Sequence, residues 1–130
     1  MKELTIIFII LIIIIGGALY IDKYLQNSSE ELVGMLEDLK EKINLISEDS
    51  DIEDIKKDAE KTYNRWEEIE EKWAFIVWHS ELDLIETSFV RMKAQIEESE
   101  FSRSIEEIDA CIFLVHHISE KEKFCLKNIF

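Results

Sequence analysis

The stretch IEDIKKDAEKTYNRWEEIEEKWAFI, residues 52–76, carries the pattern that decides the fold. Its apolar side chains recur every three or four positions, so they form one stripe along an α-helix with charged residues on the other face. The stripe consists of Ile52, Ile55, Ala59, Tyr63, Trp66, Ile69, Trp73 and Ile76. Because exposing so many apolar side chains to water is unfavourable, this helix should pack against other helices.

Similar stripes occupy residues 32–46, 82–96 and 105–115, and the polar segments 47–50 and 97–102 separate them. The chain has no proline and three glycines, and since both residues break helices, an all-α fold is favoured. Short connections should make neighbouring helices antiparallel. We expect an N-terminal transmembrane helix followed by a small antiparallel helical bundle of about four helices. Stacked helical hairpins are the alternative, although no repeat of roughly 34 residues is evident.

Three serines are each followed by an acid three positions later, which resembles a capping box and predicts helix starts at Ser28, Ser50 and Ser80. At Ser28 the alternative is a helix that continues directly from the preceding segment. The last helix is apolar on most sides over residues 110–118, so we expect it to be the most buried. Its two cysteines, Cys111 and Cys125, are about 21 Å apart at helical rise, too far for a disulfide, and are interpreted as packing residues.

Residues 4–21, LTIIFIILIIIIGGALYI, contain no charged side chain. As a helix this segment is about 27 Å long, which is enough to cross the hydrocarbon core of a bilayer. We predict that the membrane surrounds the side chains of Leu4, Ile7, Ile10, Ile14 and Ile21. A cleaved signal peptide is the alternative, but the run is long for one and the small residues at 16–18 form a poor cleavage site. We therefore predict an uncleaved, single-pass anchor in the cell membrane.

The anchor, residues 1–21, is followed by an acidic helical domain, residues 22–130. The formal net charge of −14 lies in that domain, because Lys2 and Glu3 cancel within the anchor. Such a surface repels nucleic acid and anionic headgroups. The positive-inside signal is weak, since single lysines flank the span, and it favours the amino terminus inside and the domain outside the cytoplasm.

Catalytic signatures are absent from the sequence. No glycine follows Gly34, so a glycine-rich phosphate loop cannot occur in the domain, and there is no HExxH, G-x-S-x-G or CxxC motif. Trp66 and Trp73 lie one heptad apart on the apolar stripe, and we interpret them as core residues and not as a ligand cage. Neither a cofactor nor enzymatic activity is expected.

Two clusters of histidine and acid are the candidate sites. His79 and Asp83 lie one helical turn apart, and His117 and Glu120 lie three positions apart on the last helix. If the clusters faced each other, two imidazoles and two carboxylates could bind zinc or a similar ion. We favour a structural interpretation, in which they form a polar junction between helices around VWHSELD, residues 77–83. A pH-responsive joint is a third hypothesis, because imidazole titrates near neutral pH.

Several sequence elements occur in this order in one known family. They are an isoleucine-rich N-terminal span, a Trp-containing acidic helix, an H-x-E-x-D motif at 79–83, an L-x-x-H-I-x-E motif at 114–120 and a KNIF ending at 127–130. The whole chain resembles the uncharacterised membrane-anchored proteins of Gram-positive spore formers grouped as domain of unknown function 4363. The resemblance implies an extracytoplasmic helical domain on one span, an accessory role and a multi-span membrane protein as partner. It implies no catalytic residue, because the family has none assigned.

These features favour a non-enzymatic, membrane-anchored accessory or interaction protein that presents an acidic bundle outside the membrane and binds another membrane protein. The lipid bilayer is the expected partner of the N-terminal helix, and nucleic acid is not expected. A homo-oligomer is also compatible with the sequence, since the 4-3 spacing of residues 32–46 is that of a short coiled-coil seam. The alternative function is a metal-binding domain with the histidine and carboxylate site.

Overall fold

The computed structural model describes the backbone of residues 1–129 and the side chains of residues 1–123. It contains four helices, α1 Lys2–Asn44, α2 Ile52–Trp73, α3 His79–Glu97 and α4 Phe101–Ile129. The predicted all-α class is confirmed, and residues 1–129 include no strand. The KNIF ending and the packing positions predicted for residues 124–126, Cys125 among them, lie outside the described side chains.

Helix α1 is one uninterrupted helix that contains both the predicted anchor and the first helix of the bundle. The helix start predicted at Ser28 is therefore wrong, and the continuation considered as its alternative is correct. The Ser28 hydroxyl donates a hydrogen bond to the carbonyl oxygen of Tyr24, one turn earlier, at 2.7 Å. A serine that bonds backwards in this way fits inside a helix, so the S-x-x-E spacing did not mark a boundary.

The other two predicted capping boxes are also wrong, each by one or two residues. Asp51 is the N-cap of α2, and its carboxylate accepts hydrogen bonds from the backbone N–H groups two and three residues ahead. Ser50 instead accepts a hydrogen bond from the backbone N–H of Ser47 within the connection. Helix α3 follows Trp78 without a side-chain cap, and Ser80 lies inside its first turn.

The four helices run alternately up and down and pack in a ring, in which α4 closes against α1. Two contacts show that α1 and α4 are antiparallel. The Lys40 ammonium lies 2.7 Å from a carboxylate oxygen of Asp109, and the Gln26 amide donates to the carbonyl oxygen of Ser119 at 3.3 Å. Because the last helix returns to the first, the fold is a closed bundle and not a stack of hairpins.

One face of each helix contributes to a common core, which the predicted stripes largely supply. The buried residues that the stripes predicted are Leu32, Leu36, Leu39, Ile43, Ile55, Ala59, Trp66, Ile69, Trp73, Leu82, Ile85, Phe89, Met92, Ile96, Ile108 and Val115. Residues 110–118 of α4 are not buried on most sides, because its outer face exposes Phe113, His116 and His117. Cys111 is fully buried, so its predicted packing role is confirmed.

The two core tryptophans of α2 organise the centre of the bundle. Trp66 stacks on Phe89 with ring centroids 5.2 Å apart and planes at 2°, and it meets Trp73 edge to face at 5.9 Å and 89°. Neither indole is exposed. The Trp73 ring nitrogen donates to the Ser28 hydroxyl at 2.9 Å, so this buried N–H has a partner. The core interpretation of both tryptophans is confirmed.

The apolar segment, residues 4–21, behaves differently from the rest of α1. No described part of the chain covers residues 1–17, and their isoleucines are exposed on every side of the helix. By length and composition α1 could cross a membrane, as the sequence predicted. The segment leaves the bundle as a helical continuation of one of its walls.

Candidate functional site at the proximal end of the bundle

The end of the bundle nearest the apolar segment, here called the proximal end, brings together residues 22–28, 72–81 and 117–123. The Lys72 ammonium lies 5.3 Å from the centroid of the Tyr24 ring, which joins the end of α2 to α1. The Lys121 ammonium lies 2.5 Å from a carboxylate oxygen of Glu81, which joins α4 to the start of α3. All three later helices therefore reach the level at which the apolar segment ends.

The α2–α3 connection, residues 74–78, is a compact turn at this end. The backbone N–H groups of Ile76 and Val77 both donate to the carbonyl oxygen of Trp73, at 2.8 and 2.7 Å. Val77 is buried and fixes the turn to the core, whereas Phe75 is 91% exposed and Trp78 is 75% exposed. The turn thus presents two large aromatic side chains outside the bundle while its backbone is held by hydrogen bonds.

The four site residues predicted from the sequence are all exposed. His79 is the first residue of α3 and Asp83 lies one turn later, while His117 and Glu120 lie on the outer face of α4. No hydrogen bond or ion pair joins any two of them. Among the side chains of residues 1–123, no group of three or more histidine, cysteine, aspartate or glutamate residues could hold a metal ion. The structure does not assemble the four residues into a metal centre.

The ion pair at this junction is formed by Glu81 and Lys121, which the sequence reasoning missed. Glu81 lies two residues after His79, and Lys121 directly follows Glu120. A lysine and a glutamate forty positions apart carry no local signal, whereas the histidines were selected because imidazole is a frequent ligand. Because Lys121 is half exposed, an isolated pair of this kind contributes up to about 1 kcal/mol to stability.

Burial also affects Glu122, the residue that follows Lys121. Its half-buried position raises the pKa of the Glu122 carboxyl, and the negative charge of Glu81 raises it further, although Lys121 acts in the opposite direction. The Glu122 carboxyl therefore keeps its proton to a higher pH than the same group does in water.

The aromatic side chains next to the histidines are open to solvent. His117 stacks on Phe113 with ring centroids 5.8 Å apart and planes at 12°, but Phe113 is 66% exposed. Trp78, which precedes His79, is exposed as well. Neither His79 nor His117 lies in an apolar interior.

A second feature missed from the sequence is a carboxylate that bridges α2 and α3. Glu86 accepts hydrogen bonds from the Tyr63 hydroxyl at 2.7 Å and from the Trp66 ring nitrogen at 2.6 Å. The hydrogen bond to Glu86, aided by burial, raises the pKa of Tyr63 well above its usual value, so the phenol stays a donor. Glu86 directly follows the buried Ile85 on the apolar stripe of α3, and that flanking position is the one signal the sequence offered.

Cys111 is the one cysteine whose side chain is described, and it is not a nucleophile. Its thiol is fully buried, and burial raises its pKa well above the usual value. Because the thiolate is the reactive form, the thiol is inert at neutral pH.

Comparison of the sequence with known protein families identifies the family of this chain. A family model matches residues 19–129, which include the proximal end and all of the bundle. The chain belongs to the family described as Domain of unknown function (DUF4363). The resemblance to this family is thereby confirmed over residues 19–129. The DUF4363 region begins within the last turn of the apolar segment, so it contains the join between the segment and the bundle. No curated protein and no solved structure matches the chain.

Proposed function

We propose that this protein is a single-pass membrane protein whose DUF4363 bundle acts without catalysis, as an accessory module that binds another membrane protein. The observation that carries the proposal is the continuity of α1, in which an exposed, charge-free segment runs directly into a wall of the bundle. Because the helix is continuous, it holds the bundle at a fixed distance from the bilayer. A partner in the membrane would therefore meet the bundle at that height above the bilayer surface. A flexible linker would not impose this height.

The hydrocarbon core of a bilayer is a suitable environment for the exposed apolar segment. Residues 4–21 are apolar around the whole helix, and such a helix is stable when it is surrounded by apolar material. A helix satisfies its backbone hydrogen bonds internally, which is the requirement for crossing lipid. Its length of about 27 Å is close to the thickness of the hydrocarbon core.

The surface charge of the bundle favours a particular kind of partner. The domain carries the whole net charge of −14, which supports a partner with a basic surface and disfavours nucleic acid. We place the bundle outside the cytoplasm, because the positively charged amino terminus and Lys2 precede the apolar segment. A multi-span membrane protein fits this account, because its own helices could also contact the exposed apolar segment of α1.

Crosslinking in native membranes, followed by copurification, tests the proposal. The full-length tagged chain is crosslinked, extracted in mild detergent and purified with its bound proteins. The matched control replaces residues 4–21 by an unrelated apolar span of equal length, which keeps the anchor and the bundle but changes the surface within the bilayer. We expect a specific membrane protein with the natural chain and a smaller yield of it with the control.

Three results would contradict parts of the proposal. If no specific membrane protein is recovered, from native and crosslinked membranes alike, the proposed accessory role is contradicted. Recovery of additional copies of this chain alone would replace that role by self-association. If alkaline carbonate releases the full-length chain from membranes, the proposal that residues 4–21 anchor it in the bilayer is contradicted.

A further inference from the structure

The aromatic side chains of the α2–α3 connection lie at the level at which the apolar segment ends. The contact between Lys72 and the Tyr24 ring fixes the end of α2 beside residue 24 of α1. Tyr24 follows Ile21, the last residue of the apolar segment, by three positions, which is about 4.5 Å at helical rise. The connection starts one residue after Trp73 and returns into α3 within residues 74–78, so Phe75 and Trp78 lie near this level.

This level corresponds to a particular layer of a bilayer. If residues 4–21 fill the hydrocarbon core, the headgroup region extends about 5–8 Å beyond each end of the segment. Tyr24 and the α2–α3 connection then lie inside the headgroup region. The connection joins α2 to α3 and so lies to one side of α1, where it would rest on lipid next to the anchor.

We propose that the α2–α3 connection inserts Phe75 and Trp78 into the headgroup region of the bilayer, so that the bundle touches the membrane at a second point besides its anchor. This inference rests on the proposed membrane anchor. It names lipid as the ligand of the proximal end, in addition to any protein that the bundle binds elsewhere.

The chemistry of the exposed side chains fits this layer. Tryptophan and tyrosine concentrate at membrane interfaces, because their rings are apolar and their N–H or O–H groups remain hydrated. Trp78 has such a polar group, and Tyr20, on the apolar segment itself, is also exposed. Lys23 and Lys72 lie at the same level as Trp78, and lysines there can reach headgroup phosphates.

The exposure pattern distinguishes this end from the rest of the bundle surface. Phe75 is the most exposed large apolar side chain of the described bundle, at 91%, although it lies in a turn held by backbone hydrogen bonds. A side chain in a turn could be polar without loss to the fold. The two aromatic residues in this turn are separated by the buried Val77 and the half-buried Ile76, so their exposure follows from the geometry of the turn.

Tryptophan fluorescence of the full-length chain tests the insertion, because Trp78 is the one exposed tryptophan. The chain is reconstituted into phosphatidylcholine vesicles with or without bromine atoms at the top of the acyl chains. The matched control is the double variant Trp78→Phe, Phe113→Trp, which moves the exposed indole to the outer face of α4 and keeps three tryptophans. Phe113 is 66% exposed, so an indole should be accommodated there. Near-ultraviolet circular dichroism checks that both chains are folded.

We expect brominated lipid to quench the natural chain more than the control, and acrylamide in the water to quench the control more than the natural chain. Equal quenching of both chains by brominated lipid would overturn the insertion. Protection of Trp78 that falls as the protein is diluted with lipid would also overturn it, because a second copy would then be the cover. Flotation of the vesicles separates these results from a failed anchor, since a chain that does not float contradicts the proposed function as well.

Discussion

The two parts of α1 differ in aliphatic content and have opposite surroundings. Leucine, isoleucine, valine and alanine make up 13 of the 18 residues in 4–21 and 6 of the 19 residues in 25–43. Residues 4–21 are apolar on all sides and, apart from the half-buried Ala18 and Ile21, exposed. Residues 25–43 bury one face and leave charged side chains on the other. The difference lies in both composition and periodicity. Residues 4–21 carry no charge, whereas Leu32, Leu36, Leu39 and Ile43 recur among polar residues at a 4-3-4 spacing that gives a single stripe. A continuous helix can thus be matched to lipid along one part and to protein along the other, without a break between them.

The largest expected effect separates the two parts by the same type of substitution. Leu36→Ala removes a fully buried side chain from the core and should lower the free energy of unfolding by about 2–5 kcal/mol. Ile10→Ala, in the apolar segment, should leave bundle stability unchanged, because Ile10 contacts no part of the bundle. Denaturant unfolding of the full chain in detergent, followed by fluorescence of the core tryptophans, measures both. Equal destabilisation by the two variants would mean that the segment packs on the bundle.

A charge in the apolar segment should have the reverse effect. Ile10→Lys places an ammonium near the centre of the span and should cost about 3 kcal/mol of insertion free energy, with no change in bundle unfolding. Its control is Leu45→Lys, since Leu45 is 71% exposed beyond the far end of α1. The measurement is the fraction of each chain that resists extraction by alkaline carbonate. If Ile10→Lys is retained as well as Leu45→Lys, residues 4–21 do not cross the bilayer.

Removing the Ser28 hydroxyl tests the hydrogen bond that joins the second part of α1 to Trp73 of α2. Ser28→Ala leaves the buried N–H of Trp73 without its acceptor, which should cost about 1–3 kcal/mol of stability. Ser80→Ala, at the other S-x-x-acid site near this end, should cost little, because Ser80 is exposed and caps no helix. Denaturant midpoints compare the two. A larger loss for Ser80→Ala would support the capping role that the sequence predicted for it.

The smallest effect compares glycines in the two parts. Gly34 lies in the bundle part of α1, and a methyl group added there meets no atom within 4 Å. Gly34→Ala should therefore raise bundle stability by about 1 kcal/mol through helix propensity alone. Gly17 is equally open but lies in the apolar segment, so Gly17→Ala should not change the unfolding midpoint. No gain at Gly34 would indicate that the backbone there needs the freedom of glycine.

The features that the sequence predicted correctly are those that follow from the helical periodicity of its apolar residues. Side chains such as Phe89 and Ile96 were assigned to the core because the stripe of α3 repeats along one helix face, and both are buried. The helix starts failed because a serine–acid spacing is a local signal. Ser28 instead lies inside α1, where its hydroxyl accepts a hydrogen bond from the ring nitrogen of Trp73, forty-five residues away.

The candidate site was harder to predict for the same reason. His79 and His117 were selected by residue type, but pairing across α3 and α4 is decided by which side chains the register brings together. That register joins Glu81 to Lys121 and leaves the histidines in solvent. The exposure of Phe75 and Trp78 depends on the path of a five-residue turn, which no periodic pattern encodes.

The central claim is that α1 passes from the apolar segment into the bundle as one helix. Hydrogen exchange of the full chain in phosphatidylcholine vesicles tests this most directly at residues 22–28, where the two parts join. The account predicts slow exchange of these backbone N–H groups, continuous with the protected residues on both sides, because each is bonded within the helix. Fast exchange confined to residues 22–28 would contradict it, since the anchor and the bundle would then be separate bodies joined by a flexible linker.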